Sequence, residues 1–280
     1  CPPVRISTQR SRGGTVKIKG DLSSQYLSGL MMAAPLAAQD TVIEIEGTLI
    51  SRPYVEMTKR VMESFGVVVE VDPQFRRFEI GGGQTYQATD YIIEPDASSA
   101  SYFWAVAAIC GGSATVLGLD KGSLQGDVGF VNCLEQMGCE VEWGQGQVTV
   151  CGPAKHGIDI DMSNVSDTVQ TLAAVALFVE GTTNVRNIAH NRVKETDRIG
   201  NLAIELRKLG ATVDEREDGQ LAGGVLRQLH VLPVECPKRK RWETIGTRLE
   251  QVVDHVTARP DAIAVAVADA ALRSVELHLQ

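Results

Sequence analysis

Three stretches share one layout and decide the fold: VMESFGVVVEV at 61–71, CLEQMGCEVEW at 133–143 and LRKLGATVDER at 206–216. In each, a helix-like segment ends at a glycine and an alternating, strand-like segment follows. These glycines, Gly66, Gly138 and Gly210, are separated by 72 residues in both intervals. Glycine takes the positive φ that ends many helices, so each is predicted to cap one. The constant period indicates three copies of one unit.

The rest of each copy also has a common order. Small polar clusters before Ala-rich apolar runs predict capped, buried helices at SSQYLSGLMMAA from Ser23, DASSASYFWAVAA from Asp96 and SDTVQTLAAVALF from Ser166. Strand-like pieces follow at TVIEIEG, SATVLGL and TTNVRNI, and short further strands are predicted at RRFEIGG and QVTVCG. The unit therefore alternates strand and helix and ends in strands, as a βαβαββ-type α/β unit.

Composition and charge exclude several classes of protein. The 280 residues are 44% hydrophobic and 22% charged, as in an ordinary globular protein, which excludes disorder and fibres. The net charge of −8 leaves no overall basic surface for a nucleic acid or an anionic membrane. No apolar run approaches the roughly 20 residues that span a bilayer, and the first residues do not resemble a signal peptide. We therefore expect a cytoplasmic protein, and the lack of an initiator Met suggests a fragment.

The cysteine pattern gives no sign of a metal site. The sequence has six cysteines, with no C-x-x-C pair and no histidine at ligand spacing: Cys1, Cys110, Cys133, Cys139, Cys151 and Cys236. We predict reduced core thiols, no disulfide, no metal and no cofactor.

Two polar clusters suit an anion. Ser23, Ser24 and Gln25 start a predicted helix, where unpaired N–H groups attract negative charge, although either serine can simply be a cap. Lys194 and Arg198 are four residues apart and are predicted to share a helix face, where like charges repel unless an anion lies between them. The alternative there is a surface Glu195–Arg198 pair, and for Asp167 it is a helix cap.

These clusters belong to motifs that together resemble the EPSP synthase family, 3-phosphoshikimate 1-carboxyvinyltransferase. The motifs are Ser23-Ser24-Gln25, SRPY at 51–54, PDASSASYF at 95–103, SLQGD at 123–127 and RVKETDR at 192–198. The resemblance implies an α/β protein of repeated βαβαββ-type units in two domains, the enolpyruvyl transferase fold or inside-out α/β barrel, here incomplete. It predicts a partial first domain at 1–94, a partial second domain at 95–221, and a divergent tail at 222–280.

The same resemblance implies an activity and its residues. The enolpyruvyl group of phosphoenolpyruvate would pass to the 5-hydroxyl of shikimate 3-phosphate, giving EPSP and phosphate in the shikimate pathway to aromatic amino acids. The residues implied for shikimate 3-phosphate are Ser23, Ser24, Gln25, Ser51, Tyr54, Asp167, His190, Asn191 and Lys194. Gln25 and Arg198 would contact phosphoenolpyruvate, while Asp167 and Glu195 would handle protons. His190 stands where the family has an asparagine, and either it or Asn191 can donate in its place.

The chain also departs from the family pattern. The family's G-D-K-S-I-S-type loop, N-A-G-T-type loop and a pocket arginine would precede Cys1, and no D-D-H-R-type motif follows Leu221. Two alternatives therefore stay open beside the enzyme: an inactive fragment that at most binds shikimate 3-phosphate, and the sister transferase that acts on UDP-N-acetylglucosamine. The expected partners are the small-molecule substrates shikimate 3-phosphate and phosphoenolpyruvate. We expect a monomer that binds no nucleic acid and no membrane.

Overall fold

The computed structural model describes residues 12–216 and 221–224, which form two compact units. The first unit comprises 12–93 with Leu124–Gly126 and His190–Thr196, and the second comprises the remaining described residues from Glu94 onward. The division at 93/94 is close to the predicted boundary, but two segments from the predicted second domain, Leu124–Gly126 and His190–Thr196, pack with the first unit. Most of the predicted tail, residues 225–280, lies outside the described residues.

The first unit contains one complete copy of the repeat. Its elements are β1 (Gly14–Lys19), α1 (Ser24–Ala33), β2 (Thr41–Glu46), α2 (Arg52–Ser64), β3 (Val69–Val71) and β4 (Arg77–Ile80). The sheet has the order β1-β2-β4-β3, in which β1 and β2 are parallel and the other pairs antiparallel. The alternating sequence of β2 sends Thr41, Ile43 and Ile45 inward. There the two isoleucines pack with buried residues of both helices, such as Met31 and Met62.

The second unit contains the other two copies. Its elements are α3 (Ala97–Cys110), β5 (Gly112–Leu117), α4 (Phe130–Gln136), β6 (Glu140–Gly144), β7 (Gln147–Gly152), β8 (Asp159–Asp161), α5 (Val169–Ala176), β9 (Thr182–Arg186), α6 (Arg198–Lys208), β10 (Thr212–Glu215) and β11 (Leu221–Gly224). They form two sheets, β5-β7-β6 and β8-β9-β11-β10, around one shared core. The buried side chains of Ser101 on α3 and Thr171 on α5 join the two copies through a hydrogen bond of 3.0 Å.

The predicted repeat is confirmed, with one difference. The sheet of the third copy has the strand order of the first copy, including a parallel first pair, so both follow the βαβαββ plan. The second copy lacks the first strand, since the described residues 84–96 contain no strand. In this stretch the backbone N–H of Gln87 bonds to the carbonyl of Phe65, beyond the end of α2. Pro95 also has no N–H for a strand ladder.

The three repeat glycines end helices as predicted. Gly66, Gly138 and Gly210 follow the last turns of α2, α4 and α6, with φ of 82°, 97° and 89°. In each case the residue after the glycine donates its N–H back into the last helical turn, as Val67 does to Met62 at 3.1 Å. The positive φ lets the chain reverse into the following strand.

The prediction for the cysteines is right only in part. Cys133 and Cys139 are buried free thiols, and burial raises their pKa values to about 12 and about 11. Cys110 is outside any disulfide too, but it is exposed at the end of α3, so it is not a core residue. Cys151 is intermediate, while Cys1 and Cys236 lie outside the described residues.

Candidate functional site

The first predicted cluster lies at the start of α1. Ser23 is the N-cap, with an extended backbone, and its hydroxyl accepts a hydrogen bond from the N–H of Gln25 at 3.3 Å. The capping alternative therefore holds for Ser23. Ser24 begins the helix and is buried, whereas Gln25 is exposed. The first turn of α1 has no acidic side chain, so nothing within that turn offsets the positive helix end.

Ser51 has an unusual place at the start of α2. It is the N-cap residue, but its backbone is left-handed, with φ 53° and ψ 37°, and its hydroxyl does not cap the helix. A non-glycine residue in this region costs about 1–2 kcal/mol, so its surroundings must hold it there. The side chain is buried, and its Oγ lies 3.5 Å from Nε2 of His190. The hydroxyl thus faces a distant segment instead of its own helix.

His190 belongs to a segment that packs with the first unit although its neighbours in sequence belong to the second. It starts in a 3-10 turn, Ala189–Val193, in which His190 and Asn191 are buried. Tyr54 follows Ser51 in the first turn of α2, where its N–H donates to the Ser51 carbonyl. The first unit therefore holds the Ser23 cluster, the SRPY motif and residues His190 to Glu195 of the last motif.

The predicted helix face shared by Lys194 and Arg198 is wrong. The helix α6 begins only at Arg198, and Lys194 and Glu195 lie before it in a bend. Sequence reasoning missed Asp197 as the N-cap, whose carboxylate accepts from the N–H of Gly200 at 2.9 Å. Aspartate is a strong helix start signal, so the helix starts after it. The expected repulsion of Lys194 and Arg198 on one helix face therefore loses its basis.

The second unit holds Asp167 and Arg198, and it brings them together. Asp167 lies in the 3-10 turn Ser166–Thr168 before α5, where no side-chain cap bond forms. Its carboxylate instead accepts a hydrogen bond of 2.8 Å from Nη1 of Arg198. Both side chains are partly shielded, with 31% of Asp167 and 20% of Arg198 exposed. A guanidinium paired with a carboxylate in this way can exchange it for another anion, such as a phosphate, which it binds with the same hydrogen-bond donors.

Comparison with known proteins agrees with this architecture. The repeated units are those of the enolpyruvyl transferase fold: the structure of EPSP synthase from Acinetobacter baumannii superimposes with a TM-score of 0.60 at 25% identity, over 77% of this chain and 49% of that one. The family model for EPSP synthase (3-phosphoshikimate 1-carboxyvinyltransferase) matches residues 1–242. The chain belongs to this family. The match runs past Leu221, where the sequence motifs fade, and ends before residue 243.

Individual members of this family are similar to the chain over most of its length. The 3-phosphoshikimate 1-carboxyvinyltransferase of Photobacterium profundum is 50% identical over 218 residues, which are 78% of this chain and 51% of that protein. The enzyme of Serratia proteamaculans is 47% identical over 247 residues, 88% of this chain and 54% of its own. The chloroplastic enzyme of Arabidopsis thaliana is 50% identical over 228 residues, 78% and 44% of the two chains. The chain thus spans about half the length of these relatives.

Proposed function

We propose that this chain acts in the transfer of the enolpyruvyl group from phosphoenolpyruvate to the 5-hydroxyl of shikimate 3-phosphate. The observation that carries the proposal is the buried contact of Ser51 with His190, 139 residues apart in sequence. It brings the SRPY motif to a residue two positions before the RVKETDR motif, in a unit that also contains the Ser23 cluster. A buried hydroxyl that does not cap its helix, on a strained backbone, is typical of a binding site.

Shikimate 3-phosphate would be held chiefly by groups of the first unit. The positive end of α1 and the Ser24 hydroxyl suit a phosphate, and Lys194 would add a cation. Ser51 and Tyr54 would donate to the phosphate or the ring hydroxyls. His190 and Asn191, both buried, would supply the donors that the family's asparagine otherwise gives. Asp167 would contact the reacting 5-hydroxyl.

The proton steps would involve two carboxylates. Asp167 would accept the proton of the 5-hydroxyl as its oxygen bonds to the enol carbon of phosphoenolpyruvate. Glu195 would protonate the methylene carbon and then take a proton back as the carbon–oxygen bond to phosphate breaks, which restores the double bond. Arg198 would leave Asp167 for the anionic phosphoenolpyruvate, and Gln25 would donate a further hydrogen bond. In the structure, the pairing of Arg198 with Asp167 keeps the guanidinium in a defined place.

The wider assignment follows from the same proposal. The two units would be parts of the two domains of the family, in a monomeric, cytoplasmic protein whose partners are its two substrates. Within the described residues, no helix is long and apolar enough to cross a membrane.

Binding of shikimate 3-phosphate, measured by isothermal titration calorimetry, tests the site. Ser51→Ala should weaken binding about ten-fold or more, because it removes a hydrogen bond to a charged ligand. Ser64→Ala is the matched control: Ser64 ends the same helix, is exposed and bonds only locally to the Arg60 carbonyl. Equal affinities of the two variants would remove Ser51 from the site.

A phosphate-release assay with both substrates separates the enzyme from the binding-only alternative. Turnover that is lost in Glu195→Gln, while shikimate 3-phosphate still binds, supports the transferase. Binding without turnover in the unmodified chain supports the inactive fragment, and the absence of both rejects the proposal.

A further inference from the structure

The backbone next to Ser51 is tied to a second strained residue. Arg52 is the first residue of α2, and its guanidinium carbon lies 3.7 Å from the centre of the Phe75 ring. At this distance the planar cation stacks on the face of the ring. Phe75 lies in the turn between β3 and β4, at φ 58°, a region that a bulky residue rarely adopts. The stacking contact thus joins Arg52, which follows the left-handed Ser51, to a second left-handed non-glycine residue, Phe75.

The Phe75 ring is a fixed platform for this contact. Its turn is held by Asp72, whose carboxylate accepts hydrogen bonds of 2.6 Å from the N–H groups of Arg76 and Arg77. The ring itself meets the fully buried Phe78 edge-on, with 6.0 Å between the ring centres, and packs against the core of the first unit. Arg52 is exposed, so the stack is the part of this arrangement that a substitution can remove without opening the core.

The position of Arg52 also calls for a partner. A cation in the first turn of a helix is repelled by the positive end of the helix dipole. A guanidinium there would be relieved by a bound anion or by an electron-rich ring, and the structure shows the ring. Because one peptide joins Arg52 to Ser51, fixing the first residue of α2 limits the backbone angles that Ser51 can adopt.

We propose that the Arg52–Phe75 stack positions Ser51, and through the start of α2 also Tyr54, for shikimate 3-phosphate. Arg52 and Phe75 are therefore positioning residues that act through Ser51 and do not touch the ligand. This inference rests on the proposed function of the same cluster. It assigns a role to Arg52, a member of the SRPY motif for which no substrate contact is predicted, and to Phe75, which lies outside the motifs. It also separates the stacking of Arg52 from its charge.

Four single variants of the full chain and one double variant test the inference. The single variants are Arg52→Ala, Arg52→Lys, Phe75→Leu and Phe75→Tyr. Shikimate 3-phosphate affinity is measured by calorimetry and stability by the melting temperature. Arg52→Ala and Phe75→Leu should each weaken binding about three-fold, as expected for loss of an exposed cation–π contact. Lys at 52 and Tyr at 75 keep a cation over a ring and should bind like the unmodified chain. The double variant Arg52→Ala/Phe75→Leu should bind no more weakly than either single variant, because the two changes remove one contact.

The outcomes distinguish the possible roles. If Arg52→Ala weakens binding but Phe75→Leu does not, Arg52 acts by charge and the inference is overturned. Lower melting temperatures with unchanged affinity show a purely structural stack and overturn it as well. If Ser51→Ala weakens binding while all four variants bind normally, the inference fails and the proposed function stands. If the unmodified chain does not bind shikimate 3-phosphate, the proposed function fails and the inference falls with it.

Discussion

The repeat glycine Gly66 allows a sharp test of the fold, because a matched glycine lies in the same unit. Gly66 ends α2 at φ 82°, and a Cβ there would lie 3.0 Å from Cγ of Gln87. Gly29 lies inside α1, where an added Cβ has no neighbour within 4 Å and φ is not positive. Gly66→Ala and Gly29→Ala therefore make the same chemical change in opposite backbone contexts.

The expected magnitudes follow from these contexts. Alanine in the left-handed region costs about 1–2 kcal/mol, and the smaller conformational freedom of the unfolded chain returns about 0.4–1 kcal/mol of this. Gly66→Ala should thus lower the free energy of unfolding by about 1 kcal/mol, and the close Gln87 side chain adds to the loss. Gly29→Ala should raise it by about 1 kcal/mol, the difference in helix propensity between the two residues.

Urea unfolding followed by circular dichroism measures both effects. With slopes of about 2 kcal/mol per M, the two midpoints should differ by about 1 M, with Gly66→Ala below the unmodified chain and Gly29→Ala above it. A Gly66→Ala variant as stable as the unmodified chain would refute the assignment of this glycine as a helix cap, and with it the basis on which the repeat was identified.

Two further predictions concern stability. Thr183 has a buried hydroxyl without a hydrogen-bond partner beside a small apolar cavity, so Thr183→Val should stabilise the chain by about 1 kcal/mol in urea unfolding. Thr171→Val, which breaks the bond to Ser101, should destabilise the chain by about as much. If both changes shift the stability in the same direction, this reasoning is wrong. The pKa of Asp120 is lowered because its carboxylate accepts hydrogen bonds from the N–H groups of Gly146 and Gly122, so its stabilising effect is complete above the ordinary value near 3.8 and is lost as the pH falls through the lower folded value. The urea midpoints of Asp120→Asn and the unmodified chain should therefore differ at pH 7 and converge as the pH falls below the lowered pKa of Asp120. A gap that is unchanged at low pH would show that the carboxylate charge plays no part.

The repeated fold was readable from sequence because its signals are local. A glycine after an amphipathic stretch and an alternating strand after it depend on a few neighbouring residues, and the three copies repeat them at one spacing. The missing first strand of the second copy follows from tertiary context. The stretch before Pro95 has strand-like residues, but its backbone bonds to a loop near Phe65 instead of a neighbouring strand.

The site could be predicted from the sequence only in part, because tertiary contacts decide the backbone and the neighbours of some of its residues. The helical pattern begins near both Lys194 and Asp197. Asp197 is a strong N-cap residue, so the helix begins after it and does not include Lys194. No local signal indicates that Ser51 has a left-handed backbone or that its hydroxyl meets a histidine 139 residues away. Phe75 gives no signal either, since its φ is fixed by the turn that Asp72 holds. Long-range contacts and backbone strain require the folded structure.

A crystal structure of the chain with shikimate 3-phosphate is the most direct measurement of the central claim, that separate motifs of the first unit converge on this phosphate ester. We expect the phosphate at the start of α1, within hydrogen-bond distance of Ser24 Oγ and Lys194 Nζ. Ser51 should keep its left-handed backbone, and its hydroxyl should bond to the ligand. A ligand bound elsewhere, or a phosphate that Lys194 does not reach, would contradict it.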